Sequence, residues 1–112
     1  MKINDLVREA HDVVERFGLG FVELDRTDNT ISLKLVIDSE IFVHVYGNTQ
    51  KEKLNLTLIL KQRRLYGFDS EGGKYHCHPF ENPDAHVIVS DEKSMQAFVQ
   101  ESLNFLEKTE LL

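Results

Sequence analysis

The sequence predicts an α+β fold, an antiparallel β-meander with an N-terminal and a C-terminal helix packed on one face. Three observations carry that expectation. Apolar residues recur with helical spacing as far as Phe17, the period changes to two at Gly20, and helical spacing returns after Ser90. Between the two changes lie short alternating runs separated by turn-forming residues, the pattern of sequential antiparallel strands. Two helices with one apolar stripe each would cover the same sheet face in α+β layer packing.

Ile3, Leu6, Val7, Ala10, Val13, Val14 and Phe17 form the first stripe, on a helix of about four turns. Asn4 or Asp5 is expected to cap its start, and Gly18 to supply the left-handed position that ends it. His11 falls on the charged face, among Arg8, Glu9, Asp12, Glu15 and Arg16, as a solvated histidine. Phe21 to Asp25 reads as a short strand, followed by a turn at Thr27-Asp28-Asn29. Ile31, Leu33, Leu35 and Ile37 then alternate with Ser32, Lys34, Val36 and Asp38, which gives a strand one face of which is buried.

Asp38-Ser39-Glu40 turns the chain into a strand with Ile41, Val43 and Val45 on one side and Phe42, His44 and Tyr46 on the other. A polar loop follows from Gly47 to Lys53. Leu54, Leu56, Leu58 and Leu60 alternate with Asn55, Thr57, Ile59 and Lys61, so the uncovered sheet face is at least half polar. Leu65 to Asp69 makes another strand, Ser70-Glu71-Gly72-Gly73 a hairpin turn, and Lys74 to His78 the returning strand that Pro79 stops. His86 to Val89 is a short apolar strand. Ser90 is expected to cap the second helix, with Asp91 and Glu92 complementing its dipole and Met95, Phe98, Val99, Ser102, Leu103 and Leu106 along its inner stripe.

The 112 residues fit one domain, 1–112, long enough to bury a modest core. No apolar run approaches the ~20 residues of a membrane span, and the mixed-charge start does not read as a signal peptide. Cys77 is the single cysteine. An internal disulfide is therefore excluded, and a cytoplasmic location is the expectation. Nineteen acidic against thirteen basic residues give a net charge of −6. That balance argues against tight, non-specific nucleic-acid binding, while leaving room for a local basic patch or a basic protein partner.

One stretch departs from the scaffold pattern. Residues 65 to 86 hold three of the five histidines, the cysteine, both prolines and three of the six glycines. On a strand, His76 and His78 project to one side, about 7 Å apart, and Cys77 with Tyr75 points the other way, towards the core. Cys77 is thus expected to be a small buried apolar residue and not a nucleophile. Asp69 would come back beside the histidines across the glycine turn, and the prolines would return His86 to the same neighbourhood.

Three chemistries fit these residues. His-x-His on a strand is a recurring half-site for zinc or another transition ion, which His86 or Asp69 could complete. Alternatively, one imidazole takes a proton while another gives one, with no metal or other cofactor. Cleavage of RNA by its own 2′-hydroxyl needs such a pair plus cations for the phosphorane charge, and Lys61, Arg63, Arg64 and Lys74 are close in sequence. The third option is a solvated hairpin that happens to hold histidines, with Lys61-Gln62-Arg63-Arg64 as a charged strand exit that keeps a sheet edge soluble. Acid–base work is favoured over metal because the set has no cysteine ligand and one carboxylate.

Phe68-Asp69, Gly72-Gly73, His76-Cys77-His78-Pro79, Asn82-Pro83 and His86, followed by a short strand and a terminal helix, resemble the TumE-type toxins of toxin–antitoxin modules. The order of the preceding elements is similar too. Ser70 stands where that family's pattern has asparagine. The resemblance implies a small cytoplasmic type II toxin with ribonuclease-like activity, RNA as substrate and a cognate antitoxin as partner. On that reading His76 and His78 form the acid–base pair, Asp69 orients a histidine, His86 completes the cluster, and Lys61, Arg63, Arg64 and Lys74 bind phosphate. The rival is a non-catalytic module that docks another protein through its sheet face or helices. The oligomeric state stays open, a homo-oligomer included.

Overall fold

The structure, a computed structural model, describes residues 1–112. Helix α1 runs Ile3–Phe17, and seven strands follow: β1 Gly20–Arg26, β2 Thr30–Asp38, β3 Ile41–Asn48, β4 Lys53–Leu60, β5 Arg63–Glu71, β6 Lys74–His78 and β7 Val87–Val89. Helix α2, Met95–Lys108, closes the chain. The strands lie in a single antiparallel sheet in chain order, each paired with the next. The α+β meander expected from the change of period is what the chain forms. Neither helix is long and apolar enough to cross a membrane.

Alternation decides which face meets the helices. Ile31, Leu33, Leu35, Ile41, Val43, Val45, Leu56, Leu58, Tyr66 and Phe68 all point to one side and are buried there. Leu6, Ala10 and Val13 of α1 and Met95, Phe98, Val99 and Leu106 of α2 close over them. Each large apolar side chain so buried contributes about 1.5–3 kcal/mol. Gly47 shows how close α1 comes to the sheet: a Cβ there would sit 2.5 Å from Leu6 Cδ1. The opposite face has no helix, and its residues on β2 to β6 are mostly half-buried by one another.

Both helix starts differ from expectation. Lys2, not Asn4 or Asp5, is the N-cap of α1, and its side chain makes no capping bond. The apolar stripe reaches back to Ile3, which packs against the core and draws Asn4 and Asp5 into the first turn. Helix α2 is capped by Ser94, whose hydroxyl accepts from the Ala97 N–H at 3.1 Å. Ser90, Asp91 and Glu92 lie outside the helix. The reason is packing: Met95, Phe98, Val99, Ser102 and Leu106 already complete the inner stripe, and residues 91 to 93 would add nothing apolar to it.

The basic run also folds differently. Lys61 and Gln62 form the two-residue turn between β4 and β5, with φ of 49° and 68°. Strand β5 therefore begins at Arg63, two residues before the expected Leu65.

Candidate functional site

The β5–β6 hairpin builds the site. Gly72 and Gly73, both at positive φ, make its turn and fix the register that sets Asp69 opposite His76 and Gly67 opposite His78. Asp69, His76 and His78 consequently share the face without helices. Cys77, paired with Phe68, points to the helix side as alternation demands.

The strand period predicts His76 and His78 on one exposed face, but His76 is half-buried and His78 is buried. It is 8% exposed and one of two buried polar residues in the chain. Gly67 makes room for it: a Cβ there would lie 3.2 Å from His78 Cδ2 and 3.3 Å from its Cβ. A glycine inside a strand often marks such a close approach. The imidazole leans across β5 so that Nε2 lies 3.2 Å from Asp69 Oδ2.

At the other ring nitrogen, Nδ1, two partners compete. The Pro83 carbonyl lies at 3.1 Å and Arg64 Nη1 at 3.0 Å. One nitrogen cannot both donate to the carbonyl and accept from the guanidinium. The carbonyl is fixed by the main chain, whereas Arg64 is an exposed side chain free to rotate. We therefore take Nδ1–H as donating to Pro83, which is the usual way a backbone carbonyl sets a histidine tautomer.

His86 comes back over this pair from the loop 79–86, which two successive turns compact: Asn82 N–H donates to Pro79 O at 3.2 Å and Ala85 N–H to Asn82 O at 2.9 Å. The exposed His86 ring stacks on His78, with centroids 4.9 Å apart and planes at 11°, and meets His76 at 4.1 Å and 46°. All four residues expected at the site are thus brought together. Their depths differ, however. His76 and His86 line an open pocket of about 300 Å³, with Lys53, Asn55, Asp69, Ser70, Glu71 and Lys74. His78 lies beneath it.

Of the four cations assigned to phosphate, Lys74 lines this pocket. Arg63 and Arg64 line a second concavity beside Pro83 and Asp84, on the far side of His78. Lys61 is turned away to Glu40, 4.0 Å distant across the β3–β4 end of the sheet, and does not join the cluster. Lys53 takes its place, 3.7 Å from Glu71.

Three participants, Lys53, Asn55 and Gly67, are not among the residues expected at the site. Lys53 and Asn55 arrive from β4, and Asn55 Oδ1 is buried without a hydrogen-bond partner although the residue lines the pocket. Gly67 was visible as a glycine within a strand, the one available signal. On the helix side, Tyr66 donates to Glu101 Oε2 at 2.7 Å, and Lys93 bonds both Tyr66 and Glu101. Burial and the Glu101 contact push the Tyr66 phenol far above its ordinary range. Burial likewise pushes the Cys77 thiol up, although Cys77 is half-buried and not fully enclosed as expected.

The site so defined is a histidine–carboxylate cluster at one end of an open polar sheet face. Comparison of the chain with protein-family models, curated proteins and solved structures finds no match.

Proposed function

We propose that the chain is the toxin of a type II toxin–antitoxin module, held in check by a cognate antitoxin, and that it cleaves RNA by acid–base chemistry. The observation that carries the chemistry is the position of His76 and His86. They are two imidazoles in contact at the rim of an open polar pocket, with Lys74 and Lys53 beside them. On this reading the proton-transfer pair is His76 with His86, and not His76 with His78. Asp69 and His78, 3.2 Å apart underneath, are positioning residues that hold the His86 ring from below.

The reaction needs no further reagent. One imidazole takes the proton of the ribose 2′-hydroxyl as its oxygen attacks phosphorus. The other, as imidazolium, gives a proton to the departing 5′-oxygen when the P–O5′ bond breaks. A 2′,3′-cyclic phosphate and a 5′-hydroxyl result. Lys74 and Lys53 are placed to offset the charge that builds on the phosphorane oxygens.

The test is cleavage of a single-stranded RNA by the purified chain in chelator-treated buffer, with the product ends identified. Cyclic phosphate and 5′-hydroxyl ends are expected. Removal of either proton-transfer histidine, His76→Ala or His86→Ala, should lower the rate by about 10²–10⁴. No cleavage by the wild type, 5′-phosphate products, or full activity in both variants would overturn the proposal. In cells, wild-type expression should arrest growth and the chain carrying both His76→Ala and His86→Ala should not.

A further inference from the structure

We propose that Asp69, His78 and His86 form a binding site for a divalent transition cation of the zinc type, and that the cation, once bound, competes with the proton chemistry of the same cluster. One ligand atom from each of the three residues lies within 4.8 Å of the other two. Two imidazoles and a carboxylate are a donor set that zinc accepts, with the fourth position left to water.

The orientation of His78 is the stronger argument. Metal-ligating histidines donate their second ring N–H to a carbonyl or carboxylate, which aims the free lone pair at the ion. His78 Nδ1 lies 3.1 Å from the Pro83 carbonyl. With that bond made, Nε2 faces Asp69 Oδ2 at 3.2 Å. A lone pair set against a carboxylate oxygen needs a cation between or beside them, either a proton on Nε2 or a metal ion. The separation suits a metal, since two ligands at ~2.0 Å on a tetrahedral ion are about 3.3 Å apart. Gly67 and the main chain fix this half of the site. The third ligand, His86, is exposed on the loop side.

His76 is left out of the ligand set, and this separates the inference from the ribonuclease reading. Binding of the cation rests on geometry alone, whereas its effect on cleavage rests on that reading. A cation held by His86 takes the lone pair that proton transfer requires, so it should inhibit.

The experiment is calorimetric titration of the metal-free chain with zinc, repeated on His76→Ala, His86→Ala and Asp69→Asn, with circular dichroism to check folding. One zinc per wild-type chain is expected, and one in His76→Ala. His86→Ala and Asp69→Asn should weaken binding by more than about tenfold, the scale on which even outer partners of a metal site act. Cobalt(II) should give the visible bands of a low-symmetry site with wild type and not with His86→Ala, a change that loss of a surface histidine elsewhere would not cause. Absence of stoichiometric zinc, or unaltered affinity in both ligand variants, would overturn the metal site. Zinc binding with no RNA cleavage by the metal-free chain would instead sink the ribonuclease reading and leave the metal site standing.

Discussion

Asp69 Oδ2 lies 3.2 Å from His78 Nε2, although the sheet sets Asp69 directly opposite His76. The contact runs on a diagonal. A side chain at Gly67 would stand in its way, since the added Cβ would meet the His78 ring at 3.2 Å. Gly67→Ala should therefore leave the far-UV spectrum and the melting temperature nearly unchanged while displacing the imidazole. Small misplacements at a reacting centre cost up to about 10²-fold in rate. RNA cleavage should fall on that scale, and a variant of wild-type activity would show that the placement of His78 is immaterial.

The turn at Lys61 and Gln62 places two ordinary side chains at positive φ, a region they enter at a steric cost. Asparagine followed by glycine is the preferred pair for such a hairpin. The double substitution Lys61→Asn with Gln62→Gly should raise stability by about 1 kcal/mol, read as a higher denaturant midpoint at unchanged slope. Because Lys61 lies apart from the histidine cluster, activity should be kept. Lower stability would mean that the turn carries no strain.

His44 supplies a pH dependence remote from the site. Burial, and to a lesser degree the charge of Lys34 opposite it, hold its proton affinity below the ordinary value of 6.5. Its Nε2 pairs with the Ser32 hydroxyl at 2.8 Å. In the unfolded chain the imidazole takes up a proton more readily, so acid favours unfolding. The contribution is fully present above pH 6.5 and is lost as pH falls from there through the lower folded-state value. Urea titrations across this range should show stability falling with acid in the wild type and falling less in His44→Gln. Equal slopes in the two proteins would contradict the assignment.

Cys77 should react slowly with thiol reagents in the native protein, because burial pushes its thiol up and the side chain packs against the helix-side core. After unfolding the reaction should be rapid. Native and unfolded rates that coincide would show the half-buried sulfur to be open to solvent.

Strands β2, β3 and β4 were legible because each has buried side chains alternating with half-buried ones, and that contrast is already written as alternation in Ile31–Ile37 or Leu54–Leu60. The convergence of Asp69, His76, His78 and His86 followed from the same period and the glycine turn. Depth was not legible. Alternation assigns His78 a face, but its burial depends on an absent side chain across the strand and on where the Pro83 carbonyl falls. Lys53 and Asn55 entered from β4, a register that no local pattern fixes. Tyr66, Lys93 and Glu101 meet only once α2 is laid on the sheet. The start of α2 was misplaced because Ser90 with two acids resembles a cap, and only the packing of Met95 discriminates in favour of Ser94.

The chain order of the strands has a kinetic consequence. Every strand pairs with its neighbour in sequence, so each hairpin closes a short loop and loses little chain entropy in doing so. Such a sheet belongs among the faster-forming β topologies, with the docking of α1 beside α2 as its longest-range event. At the far edge, three-residue β7 holds the loop that carries His86, and Ile88 on it is 80% exposed. Opening of that edge breaks few contacts and none in the central strands. The cluster can therefore come apart and re-form while the protein remains folded, and amide exchange in β7 should run far ahead of exchange in β3 and β4.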